Sequence, residues 1–168
     1  MSKIAKFVVI INDNVIWMEE KALQFYADLF VNSKETGEKY ARENLSSQQL
    51  FKIQNDFSVE MLMAYDGENP LSFMKLNSSR LSNQNLDANK PIGINHIVYF
   101  NREDIAVLFK RAEEVALQRK HDFIWAKAFE IDITLTEELK SLGYEEFYYE
   151  NDVNQDTNEK QLYFKKSV

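Results

Sequence analysis

Apolar positions along the chain fall into two alternating rhythms. Residues 4–11 form a compact, β-branched run closed by Asn12, Asp13 and Asn14, which predicts a first strand. From about residue 18 to 31, Leu23, Tyr26 and Phe30 recur at helical spacing with Ala22 and Leu29 beside them. Two shorter helices are expected at about 38–44 and 47–55, the second capped by Ser46 or Ser47. Residues 59–65 and 71–77 are strand-like runs on either side of Asp66-Gly67-Glu68-Asn69-Pro70, the pattern of a β-hairpin. The Ser- and Asn-rich stretch 78–90 reads as an exposed connection.

A further strand is expected over 93–100. Ile105, Leu108, Phe109, Ala112 and Ala116 then fall at i, i+3, i+4, i+7 and i+11, the stripe of an amphipathic helix. Residues 123–129 are nearly continuous in apolar and aromatic side chains, as in a strand covered on both faces. Thr134 with Glu137 three positions on resembles a capping box. Leu135, Leu139 and Leu142 line a short helix that Gly143 would end in a left-handed cap. Residues 147–149 and 162–164 form two closing strands around the polar loop 151–160. This order predicts an α/β (α+β) fold: one domain over residues 1–168, a mixed sheet with helices packed on its faces.

Composition narrows the classes of function. A chain of 168 residues with 45% hydrophobic and 28% charged residues can bury a core without disulfides or metal. The net charge of −7, with no cluster of Lys and Arg, opposes a phosphate backbone, so a nucleic-acid partner is not expected. Cysteine is absent, which removes disulfides, thiolate nucleophiles and Cys-based zinc sites. The run 7–11 is too short for a signal-peptide core and nothing reaches membrane-spanning length, so no membrane association and a cytoplasmic location are expected. His96 and His121 lie on different elements and no metal motif is present, so no metal is expected. His121 ends a helix, where a cation-capable side chain suits the dipole. Residues 151–156 alternate oxygen-bearing side chains but lack the central Gly and terminal Glu of a calcium loop. Trp17 and Trp125 read as core or cleft lining. The aromatic run Tyr144, Phe147, Tyr148 and Tyr149 offers outward rings for a pocket or a subunit interface, such as a homodimer's.

Several stretches agree with one known family beyond their secondary structure. Met63-Ala64-Tyr65-Asp66-Gly67-Glu68 leading to Phe73-Met74-Lys75-Leu76-Asn77 resembles the second and third strands of the Gcn5-related N-acetyltransferases (GNAT). Phe123-Ile124-Trp125 through Leu142-Gly143-Tyr144 resembles that family's fifth strand, the following helix and its closing Gly-Phe, and Leu162-Tyr163-Phe164-Lys165-Lys166 its last strand. The likeness runs from about residue 45 to the end and is nearest to bacterial enzymes acting on small molecules.

The resemblance implies a mostly antiparallel sheet and acetyl-CoA held between splayed fourth and fifth strands. The acceptor would be a small-molecule or peptide amine. Pantetheine would pair with the fourth-strand backbone near Val98 and Tyr99, and the pyrophosphate would meet the turn at Asn101 and Arg102. In the family that turn is Gly-rich, so that backbone N–H groups reach the phosphates at a helix N-terminus. Here the segment Tyr99-Phe100-Asn101-Arg102-Glu103-Asp104-Ile105-Ala106 is shorter and has no glycine, and two carboxylates stand where phosphates would come. The family's general-acid Tyr aligns with Leu139, its usual Asn with Asp132, and its fourth-strand Glu with Asn95. His96 is left as a candidate base, although strand alternation would turn it to the opposite face from Asn95. Two readings stay open. One is an N-acetyltransferase with low or absent activity; the other is a non-catalytic GNAT-fold module that binds a ligand or partner. An unrelated α+β domain with the same element order is a third.

Overall fold

The computed structural model describes residues 3–78, 90–149 and 159–168. Two expected loops, 78–90 and 151–160, fall largely outside these residues, as does the loop weighed for calcium. Seven strands, β1 (Lys3–Val8), β2 (Val59–Asp66), β3 (Asn69–Asn77), β4 (Pro91–Val98), β5 (Phe123–Phe129), β6 (Glu145–Phe147) and β7 (Gln161–Ser167), form one sheet in the order β1-β2-β3-β4-β5-β7-β6. Every neighbouring pair is antiparallel except β4 with β5, which run parallel. The helices are α1 (Asn12–Leu29), α2 (Lys34–Leu45), α3 (Ser47–Gln54), α4 (Arg102–Gln118) and α5 (Ile133–Ser141).

Strand alternation splits the core in two. Leu62, Ala64, Met74, Leu76, Ile124, Ala126 and Phe164 face α4 and α5, meeting the expected stripe of Ile105, Leu108, Phe109, Ala112 and Ala116. Met61, Met63, Phe73, Val98 and Phe129 face α1, α2 and α3 and meet Met18, Ala22, Tyr26, Tyr40 and Leu50. The expected helices on both faces are therefore present. Each fully buried Leu or Phe contributes ~1.5–3 kcal/mol by leaving water.

Local chemistry moved several boundaries. The first strand stops at Val8 rather than residue 11 because Asn14 turns the chain into α1. Its Oδ1 accepts from the Ile11 N–H at 3.0 Å and its Nδ2 donates to the Val9 carbonyl at 2.8 Å. Ser46, not Ser47, caps α3, its hydroxyl accepting from the Gln49 N–H. Asp132, not Thr134, caps α5: its carboxylate accepts from the Leu135 N–H at 3.2 Å, and Thr134 lies inside the first turn. Gly143 has φ 92° as expected, with the Tyr144 N–H donating to the Leu139 carbonyl and the Gly143 N–H to that of Lys140. The same closure ends α4, but with Lys120 at φ 62°. The sixth strand is 145–147 rather than 147–149. Among the described residues, no helix is long and apolar enough to cross a membrane.

Candidate functional site

The sheet's regularity fails at its centre. Leu76 pairs with Ile94 and Met74 with Ile97, so the single residue Lys75 on β3 opposes both Asn95 and His96 on β4. That two-against-one count is a β-bulge, a device that re-aims side chains. Ile92, Ile94 and Ile97 all join the α4/α5 core, and the last two are three residues apart rather than two. Alternation sends Asn95 away from that core, and the bulge sends His96 after it, its ring 5.9 Å from that of Tyr40 on α2. The expectation that His96 and Asn95 lie on opposite faces is thereby corrected.

β4 and β5 also part company here. Their ladder runs from Pro91 with Phe123 to Ile94 with Ala126 and goes no further, so residues 95–98 and 127–129 diverge as a wedge. Val98 keeps its partner on the other side, Phe73. On the helix α1/α2 side, Phe129 fills the wedge. Its ring lies 5.1 Å from Phe30, 5.0 Å from Tyr40 and 6.4 Å from Tyr26.

Past the ends of the two strands the mouth of the wedge is bridged. The Tyr99 hydroxyl donates to Asp132, joining the turn after β4 to the cap of α5. Burial raises Tyr99 above the ordinary tyrosine value, with Asp132 adding to it, and burial also raises Asp132. Arg102 reaches from α4 to α5, donating from Nε to Glu138 at 2.6 Å and from Nη1 to Glu137 at 3.3 Å. Asn101 is the N-cap residue of α4 in extended conformation, and its carbonyl accepts from the Asp104 N–H at 3.0 Å. Glu103 and Asp104 both bind Lys3, and Asp104 is fully buried. The positive end of α4 therefore meets carboxylates of its own chain. Leu139, aligned with the family's general acid, is fully buried in the α4/α5 core.

This seven-stranded sheet with helices on both faces superposes on solved structures of acetyltransferases. The PaiA N-acetyltransferase of Thermoplasma acidophilum, solved in complex with coenzyme A, superposes with a TM-score of 0.71 over 100% of both chains at 13% identity. A GCN5-related N-acetyltransferase of Rhodopseudomonas palustris gives a TM-score of 0.73 at 13% identity, over 100% of this chain and 97% of the other. The chain has the GNAT fold. FeeM, an N-acyl amino acid synthase from uncultured soil microbes, shares this fold with a TM-score of 0.64 at 13% identity, over 99% of this chain and 91% of FeeM. No protein-family model and no curated protein matches the sequence.

Within this GNAT fold the structure brings together residues that sequence reasoning had not joined. Lys75 on β3 and Lys127 on β5 flank the bulge on the same side as His96, both largely buried. Desolvation lowers Lys75 to about 8, with the charge of Lys127 adding to it, and desolvation also lowers Lys127. Burial, with Lys75 and Lys127 nearby, holds His96 well below the ordinary histidine range, so it is a neutral ring and a poor proton acceptor at neutral pH. Trp125 lies over Gly93 so closely that a Cβ there would sit 2.1 Å from its Cζ2. One sequence signal was available: a lone lysine between apolar neighbours in each of two strands, Met74-Lys75-Leu76 and Ala126-Lys127-Ala128. His121 is also not the helix-end cation expected. It is buried, desolvation lowers its pKa, and its Nδ1 lies 3.1 Å from the Lys90 carbonyl.

Proposed function

We propose that this chain is a GNAT-fold protein in which acetyl transfer from acetyl-CoA is weak or lost, and that the fold serves to bind a ligand at the β4 bulge. The observation that carries this reading is the state of the wedge mouth. Arg102 is committed to Glu137 and Glu138, and Tyr99 to Asp132, while the first turn of α4 carries Glu103 and Asp104. A diphosphate placed at Asn101 and Arg102 would have to displace these bonds and lie against two carboxylates, with no glycine to bring backbone N–H groups close.

The residues present do not fit the CoA diphosphate. By resemblance the chain is acetyltransferase-like, and an amine would be the acceptor. His96, neutral and enclosed, is poorly suited to take that amine's proton. Calorimetric titration with acetyl-CoA and with CoA tests the reading. No heat of binding is expected up to millimolar ligand, and saturable binding in the micromolar range would overturn it.

A further inference from the structure

The bulge carries an unusual inventory of polar atoms. Asn95 Oδ1, His96 Nδ1 and Trp125 Nε1 are all buried, and each lacks a hydrogen-bond partner among the described residues. His96 is 5% exposed and Trp125 4%. Lys75 on β3 and Lys127 on β5 are both near enough to act on His96 by charge. Neither makes an ion pair or hydrogen bond among the described residues, and the carboxylate that acts on Lys75, Asp56, is itself exposed. Lys127 is paired across the sheet with Tyr163 of β7, and the His96 ring lies 5.9 Å from that of Tyr40.

A buried polar atom without a partner costs free energy, and a buried unpaired charge costs more. Here the deficit has a direction. Two ammonium groups and an indole N–H can only donate, and a neutral imidazole can donate from one nitrogen. Only the Asn95 carbonyl must accept, and its amide can present N–H groups instead if turned. A donor-rich, positively charged and partly desolvated pocket complements an oxyanion. It is hostile to a protonated amine, the acceptor that the GNAT resemblance implies, because that would add a third positive charge.

We infer that the side-chain cluster at the β4 bulge, Lys75, Lys127, Asn95, His96 and Trp125, binds the oxyanion group, carboxylate or phosphoryl, of a small ligand. The two lysines neutralise its charge, and the Trp125 and His96 N–H groups orient its oxygens. Charge-assisted bonds in a water-poor site are the strong class of polar contact. This assignment rests on the ligand binding at the bulge proposed above and not on the closed mouth. Acetyl-CoA binding would overturn the closed-mouth reading and leave the oxyanion assignment to be decided separately.

The Trp125 indole N–H provides a direct reporter. The chain has two tryptophans, so Trp17→Phe leaves a single indole resonance to follow by ¹H–¹⁵N NMR. Succinate and inorganic phosphate are the probes, with uncharged succinamide and sodium chloride at matched ionic strength as controls. A saturable shift of the indole resonance is expected with at least one oxyanion and with neither control. Succinate alone acting assigns a carboxylate, and phosphate alone a phosphoryl group. Lys127→Met and Lys75→Met, which keep the apolar stem and remove the charge, should each weaken binding about tenfold or more, the scale of one lost charge-assisted bond. Absence of a shift with both oxyanions would overturn the inference, as would shifts of equal affinity in both lysine variants.

Discussion

Lysine 75 gives the pocket a measurable thermodynamic signature. Desolvation brings it from its ordinary 10.5 to about 8, so the folded protein resists the proton that the unfolded chain readily carries. At about 1.4 kcal/mol for each pH decade, that difference corresponds to roughly 3 kcal/mol. Below about pH 8 both states are protonated and the fold bears the whole penalty. Between about 8 and 10.5 the folded state releases the proton while the unfolded state keeps it, so stability rises with pH. Lys75→Met removes the charge and keeps a stem of similar length. It should exceed the wild type in stability near neutral pH by an amount on this scale, and lose that advantage as pH rises.

Urea unfolding of both proteins from about pH 7 to about pH 9.5 reads the gap, and taking the difference cancels groups common to both. Tyr26, Tyr40 and Tyr144, all raised by burial, ionise above this range. Asp56 and the already neutral His96 do not titrate within it. Lys127, which desolvation also lowers, is present in both proteins. A gap independent of pH would refute the reasoning. So would a Lys75→Met protein less stable at pH 7, because the ammonium would then have a stabilising partner.

Three further outcomes are expected. Gly93→Ala should destabilise by about 1–3 kcal/mol, the usual cost of overpacking, because its methyl would occupy the space of the Trp125 ring. That cost should largely vanish when Trp125 is also replaced by Ala, and a double-mutant cycle by denaturant melts reads the coupling. Lys120→Gly should raise stability by about 1 kcal/mol, seen as a higher melting temperature, because Lys120 holds the left-handed conformation at the end of α4 where glycine is unstrained. Leu139→Tyr should lower stability by about 1–3 kcal/mol, since a ring and hydroxyl must enter a filled core, and should yield no acetyl transfer in an assay with acetyl-CoA and a polyamine acceptor.

What could be read from the chain follows from how local each signal is. The α4 stripe, the β2/β3 hairpin, the whole of β5 and the cap at Gly143 depend on residues within a turn or two of one another, and all stand in the structure. The start of β4 was placed two residues late. Pro91 and Ile92 belong to the strand because they pair with Phe123 and Ile124, partners some thirty positions away. The bulge was hidden for a related reason. In a strand apolar on both faces, the three-residue step from Ile94 to Ile97 does not stand out, and only the register against β3 exposes it. That slip is what put His96 on the wrong face. Lys75 and Lys127, 52 positions apart by subtraction of their numbers, meet only because β4 lies between their strands. By contrast, the anomaly at residues 101–104 was legible, because a glycine-free turn followed by two acids is a local pattern.

The two ends of the wedge now differ in a way that bears on what the fold retains. At the mouth the charges at the start of α4 are paired: Arg102 with Glu137 and Glu138, Lys3 with Glu103 and Asp104. Such pairs make that end self-sufficient, and a ligand arriving there gains little because it must break as many bonds as it forms. At the bulge the balance is reversed. Two ammonium groups and three buried polar atoms stand without partners among the described residues, each a cost that a leucine or methionine would remove. Three buried polar atoms and two lysines gathered at the bulge are what a site shows when its ligand supplies the missing partners.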